Sequence, residues 1–174
     1  MRSEYVEKSV VKNILGGLMP QNRLALEVSL ITGLRINDVL NLKTEQIKKV
    51  RFSVREEKTG KVKRVRLPLP LVRELLAYSG SIYVFEHRLD GRAHRTRQAV
   101  FKDLKRLAKA FHIKENLCPH SLRKIYAVEE YKKDGNLQRV KKLLNHSDEA
   151  ITYLYALSNM VNRKNTKFRK NIRT

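Results

Sequence analysis

The sequence has a single cysteine, Cys118, so no internal disulfide can form, and usage this sparse fits a reducing cytoplasm. Cys118 sits beside Pro119 in an apolar context and reads as a packing residue. The five histidines are scattered, and no Cys/His set has zinc-ligand spacing. No Asp/Glu cluster of the magnesium-holding kind is present, so neither a metal nor another cofactor is expected. No apolar run reaches the length of about 18 residues that marks a membrane-span candidate. The first residues do not read as a signal peptide, and no basic amphipathic helix runs without acidic partners. The expected location is therefore cytoplasmic, with no membrane partner. Internal repeats and polar low-complexity tracts are lacking too, which excludes a solenoid and a largely disordered chain. Scarcest of all is negative charge: 17 acidic residues face 38 Lys and Arg, leaving a net charge of +21.

What is there suits one compact domain. A chain of 174 residues, 41% of them hydrophobic, buries roughly 70% of its unfolded surface without a staple. A charge of +21 exceeds what solubility requires and attracts a polyanion, so double-stranded DNA is the first partner to consider. The charge is also clustered. From Lys43 to Arg66 there are ten basic and three acidic residues, and from Arg163 to Arg173 six basic and none acidic. A charge run usually marks a solvated face, yet at this net charge several clusters are expected to converge on phosphate.

Periodicity sketches the elements. Val6, Val10, Val11, Ile14 and Leu15 predict a helix over residues 4–15, stopped by Gly16-Gly17. Pro20 opens a second helix that Gly33 closes, and residues 36–42 make a short third one, placing Arg35 at a helix junction. "VRFSVR" and "KVKRVRLP" alternate as two strands around Lys58-Thr59-Gly60, a hairpin with Lys58 near its tip. Helices are expected at 69–78, 96–112, 119–133, 136–144 and 148–158, with a short strand at "IYVF" and a break at Gly135. The fold class is α+β, mostly helical, with a small antiparallel β-sheet.

His120 and Arg123 are three apart and share one face near the start of a helix, a ready anion site. By itself such a pair is as easily a surface feature. In chain order, however, "TGLRINDVL", "EKTGK" in a hairpin, "HSLR" and "LLNHSDEAITYLY" together resemble the tyrosine recombinase (phage integrase) family over nearly the whole chain. The resemblance implies a catalytic domain of that fold, with Arg35, Lys58, His120, Arg123, His146 and Tyr155 as catalytic residues. Tyr155 stands nine residues beyond His146 and is the implied nucleophile, although Tyr153 competes for the role on residue type alone. Asp38 matches an acidic position of the pattern and is expected to buttress Arg35 through a hydrogen-bonded pair.

The chemistry of these residue types agrees with the resemblance. Attack of a tyrosine oxygen on a phosphodiester builds negative charge on phosphorus, which Arg35 and Arg123 can clamp with two donors each. His146 adds a further donor. Lys58 is the candidate acid for the leaving 5′ oxygen; Lys61 and Lys63 lie close by, and only the Lys-Thr-Gly pattern favours Lys58. A tyrosine of pKa about 10 is about 0.1% ionised at neutral pH, so His120 is expected to take its proton or assist electrostatically. Lys43, Lys61, Lys63, Arg64, Arg95 and Arg97 are the candidate DNA-binding residues.

The expected function is site-specific strand cleavage and religation through a 3′-phosphotyrosine, independent of metal and ATP. The implied assembly is a monomer alone and a homotetramer on DNA, with accessory DNA-bending proteins, at the host nucleoid or in viral service. The expected organisation is a catalytic domain over residues 1–160 and a basic tail over 161–174, with no N-terminal core-binding domain. A DNA-binding module without cleavage and a type IB topoisomerase-like relaxing enzyme remain alternatives. One departure from the family is Asn145, where Gly is common; Asn tolerates the left-handed conformation such a turn needs.

Overall fold

The computed structural model describes residues 3–145 and Leu154, and the chain forms two compact units, Met1–Tyr126 and Ala127–Thr174. The first helix, α1 (Lys8–Leu15), buries Val11, Ile14 and Leu15. It starts four residues later than its spacing predicts, because the preceding segment is drawn elsewhere. Glu4 donates its N–H to Asn116 O at 3.3 Å, and its carboxylate accepts the Asn116 N–H at 2.5 Å.

Helix α2 (Pro20–Thr32) opens on proline and ends at Gly33, whose φ of 67° lets its N–H reach Ser29 O at 2.8 Å. Helix α3 (Ile36–Leu40) follows with Arg35 as its N-cap, the junction position expected of it. A further single turn, α4 (Thr44–Ile47), was not foreseen; Gln46 Oε1 accepts the Lys43 N–H at 2.8 Å and Ile47 is buried.

Strands β1 (Arg51–Arg55) and β2 (Val62–Arg66) pair antiparallel with Arg51 opposite Arg66 and Val54 opposite Lys63. Val54 and Val65 turn inward and the alternate residues face out. Helix α5 (Leu69–Tyr78) matches its expected span. The strand expected at "IYVF" does not form. Tyr83 makes one isolated bridge with Lys43, and Val84 donates to Leu42 O at 3.0 Å. Val84 and Phe85 are 1% exposed, so the apolar run that looked like a strand plugs the core from a loop.

Helix α6 (Arg97–Ala110) is capped by Thr96 Oγ1, which accepts the Ala99 N–H at 3.2 Å, and it buries Val100, Leu104 and Leu107 along one stripe. Asp103 on its buried side accepts Asn22 Nδ2 at 2.7 Å and the Met19 N–H at 3.1 Å, fixing the entry to α2. The core of the first unit runs from Val6 to Ile125 and draws on α1–α4, the sheet, α5, α6 and the first turns of the helix that begins at Pro119.

Helix α7 (Pro119–Asp134) carries "HSLR" in its first turns. In the second unit Gly135 (φ 66°) separates it from α8 (Leu137–Leu143), where Asn136 Oδ1 caps by accepting the Arg139 N–H at 2.9 Å. Arg139 also pairs with Glu130 at 2.8 Å and Asp134 at 2.6 Å. Asn145 has φ 55°, the left-handed conformation expected of it. Of the helix expected at 148–158, only Leu154, helical and buried, lies among the described residues. No described helix is long and apolar enough to cross a membrane.

Candidate active site

A cleft of about 700 Å³ opens in the first unit, and four separated segments build it. The α2–α3 junction supplies Leu34 to Asp38, the hairpin turn supplies Glu57 and Lys58, the start of α6 supplies Arg97, Gln98 and Phe101, and the start of α7 supplies Cys118 to His120 and Arg123. The structure therefore gathers Arg35, Lys58, His120 and Arg123 around one cavity although they span nearly ninety residues of chain.

Each is placed by local physics. Gly33 bends the chain so that its carbonyl accepts a hydrogen bond from Arg123 Nη1, and a Cβ at Gly33 would overlap the Tyr126 ring. Arg123 is 1% exposed and ranks among the largest fully buried side chains. A buried guanidinium needs such polar partners, since charge moved out of water is costly.

Arg35 donates from Nη1 to Glu56 Oε2 at 2.6 Å, with Glu56 wholly buried. Asp38, expected to pair with Arg35, instead accepts the Glu57 N–H at 2.9 Å, because the hairpin turn folds over α3 and offers it a backbone donor. Glu56 continues the inward alternation of Phe52 and Val54, and that phase is the signal that could have identified it. A charged residue on the buried side of a strand demands a partner.

Glu56 also organises the turn that bears Lys58. It accepts the Thr59 hydroxyl at 3.2 Å, its N–H donates to Lys61 O at 2.9 Å, and its carbonyl accepts the Gly60 N–H at 2.8 Å. One residue thus touches Arg35 and closes the lysine loop. Asp38 Oδ2 and Glu56 Oε1 are buried with no hydrogen-bond partner among the described residues. Burial pushes the Asp38 carboxyl above its ordinary range; the Glu57 N–H pulls it back, Glu56 pushes it further up, and Arg35 and Arg123 pull it down. Two guanidiniums and two carboxylates are thus packed within reach of one another's fields.

The remaining expected residues divide. Arg97 lines the cleft, while Lys61 and Arg64 are exposed on the hairpin. Lys43 places Nζ 3.3 Å from the Tyr83 ring centroid, Lys63 donates to Thr32 O at 2.6 Å, and Arg95 donates to Asn22 Oδ1 at 2.6 Å and Gln21 Oε1 at 3.0 Å. Those three stabilise neighbouring elements. Cys118, read as a packing residue, is half-buried on the cleft wall because the first turn of α7 opens onto the cavity. Gln98 and the exposed Phe101, on the first turns of α6, were not foreseen at the cleft. His146, Tyr153 and Tyr155 lie outside the described residues. No group of three or more His, Cys, Asp or Glu side chains gathers as metal ligands among the described residues.

A family model described as the phage integrase family matches residues 4–161. A curated tyrosine recombinase from Thermosipho africanus (strain TCF52B) is 31% identical over 163 residues, covering 87% of this chain and 56% of that protein. The chain thus spans a little over half the length of that relative. The crystal structure of XerA recombinase superposes with a TM-score of 0.70 at 20% identity, over 92% of this chain and 63% of that one. A post-cleavage complex of XerH site-specific recombinase bound to palindromic difH substrate gives 0.70 at 18% identity, over 87% of this chain and 48% of that one. At such identities the two structures speak for a shared fold.

Proposed function

The chain belongs to the phage integrase family, and on that premise we propose that it is a site-specific DNA recombinase that cuts and rejoins strands through a 3′-phosphotyrosine. The observation that carries the reading is the cleft in which Arg35, Lys58, His120 and Arg123 meet from the α2–α3 junction, the hairpin and α7. Arg35 and Arg123 hold the nonbridging oxygens of the scissile phosphate, and His146 donates to the same group. The Tyr155 oxygen attacks phosphorus while His120 receives or offsets its proton. The bond from phosphorus to the 5′ oxygen breaks, and Lys58 protonates that oxygen. Religation runs the same steps backward with a new 5′ hydroxyl, so the bond energy is conserved and no ATP is consumed. The shared fold with XerH site-specific recombinase, captured in a post-cleavage complex with palindromic difH substrate, supports this reading. Synapsis by four protomers on two duplexes, accessory DNA-bending proteins, and action at the nucleoid or for a virus belong to the same reading.

The test is a nicked duplex whose short 5′ fragment diffuses away after cleavage, trapping the covalent protein–DNA species on a denaturing gel. The wild type is expected to give the adduct in EDTA, and Tyr155→Phe is expected to give none. An adduct that survives in Tyr155→Phe and disappears in Tyr153→Phe would move the nucleophile by two residues. Duplex binding without any adduct would leave a binding module instead.

A further inference from the structure

The outer face of the β1–β2 hairpin takes no part in the cleft. With Arg51 opposite Arg66, Ser53 opposite Arg64 and Arg55 opposite Val62, these six side chains point away from the buried Val54 and Val65, and all six residues are exposed. Four of them are arginines. Among the described residues no carboxylate lies within ion-pair distance of Arg51, Arg55, Arg64 or Arg66. Arg51 and Arg66 stand directly opposite each other, an arrangement that destabilises a strand pair when both residues carry the same charge. Between them lies a concavity of about 340 Å³ lined by Arg51, Ser53, Arg64 and Arg66 together with Phe52 and Val65.

We propose that this face is a second phosphate-contact surface that holds the backbone of the duplex outside the cleft; the proposal rests on the recombinase reading above. Guanidiniums suit the role because each presents two parallel donors to a phosphate; Arg51, Arg64 and Arg66 line one concavity with no carboxylate beside them, while Arg55 donates to Gly60 O at 3.2 Å. A second copy of the chain is a poor occupant, since its own net charge is +21. Position favours DNA as well. The hairpin turn places Lys58 on the cleft, and from the Arg55 end to the Arg51–Arg66 end the strands run about 14 Å at about 3.4 Å per residue. That reach corresponds to about four base pairs of duplex axis, at about 3.4 Å each. The arginine face therefore extends the footprint on one side of the scissile phosphate.

The experiment compares wild type with the triple variant Arg51→Gln, Arg64→Gln, Arg66→Gln, using fluorescence anisotropy on a duplex of about 30 base pairs across about 50–200 mM salt. Each lost phosphate contact lowers the slope of log K against log salt by about 0.9, so the triple variant is expected to be shallower by about 2–3. The matching Arg→Lys triple is expected to keep the wild-type slope. Neutralising Lys12, Lys109 and Lys114, exposed residues elsewhere, is expected to change the slope by less than about 1, which separates this face from net charge. A triple glutamine variant with the wild-type slope overturns the proposal, and if it loses binding to polyglutamate at the same time, the occupant is an acidic protein. The nicked-duplex adduct tells the two readings apart: wild-type adduct with an unchanged slope removes only this face, whereas wild type that neither binds duplex nor forms adduct removes both.

Discussion

At the scale of residues, the site depends on a carboxylate that makes no contact with solvent. Glu56 is wholly buried against Arg35, and truncating one partner of such a pair leaves an uncompensated charge. Glu56→Ala is expected to destabilise the chain by about 3 kcal/mol in urea unfolding and to loosen the Lys58 turn. Glu56→Gln keeps an acceptor for Arg35 and the Thr59 hydroxyl, and is expected to fold while cleaving nicked duplex more slowly at unchanged duplex affinity. Equal losses in affinity and rate would mean that Glu56 serves only the fold. Gly33→Ala is expected to cost about 2–4 kcal/mol, because φ of 67° is left-handed and the added methyl meets the Tyr126 ring. The sequence displayed Arg35, Lys58, His120 and Arg123 through spacing and motif. It did not display Glu56 as the partner of Arg35, since Asp38 sits in the familiar position three residues on and only the strand phase pointed inward.

Among elements, two aspartates tie secondary structures together with opposite pH behaviour. For Asp103, burial alone would raise the pKa, but hydrogen bonds from Asn22, Arg106 and the Met19 N–H bring it below its ordinary value of 3.8. Its stabilisation is therefore complete above that value and is lost as pH falls through its folded pKa. Asp38 is raised, chiefly by burial, so its contribution is complete at low pH and is lost as pH rises through its folded pKa. Urea midpoints from about pH 3 to 7 are expected to show the advantage of wild type over Asp103→Asn growing with pH, and its advantage over Asp38→Asn shrinking. Parallel trends in both variants would contradict these assignments. In the second unit, Asn145→Gly is expected to stabilise α8 by about 0.5–1 kcal/mol, read as slower amide exchange, because glycine takes the left-handed position without strain. Helix α2 was legible from punctuation: Pro20 and Gly33 act where they stand. The strand expected at "IYVF" was not legible, because an apolar run of four says that it is buried and does not say what pairs with it.

For the whole molecule, charge is the dominant property. With a sequence pI of about 10.3, the charge carried by Lys and Arg hardly changes between about pH 6.5 and 9, so duplex affinity held by them is expected to be nearly pH-independent there and steep in salt. Anisotropy titrations over that range check both limbs, and a strong pH dependence would assign binding to histidine rather than to Lys and Arg. Composition made the polyanion legible, whereas it could not say which basic residues stay outside; Lys43, Lys63 and Arg95 are spent on the protein itself. The hydrogen bond from Arg123 to the Gly33 carbonyl spans 90 positions of chain, whereas Arg35 and Glu56 are 21 apart. During ribosomal synthesis the second pair can close long before the first, so a nascent or stalled polypeptide fixes Arg35 before Arg123. The cleft is thereby completed late in translation, once the start of α7 has emerged.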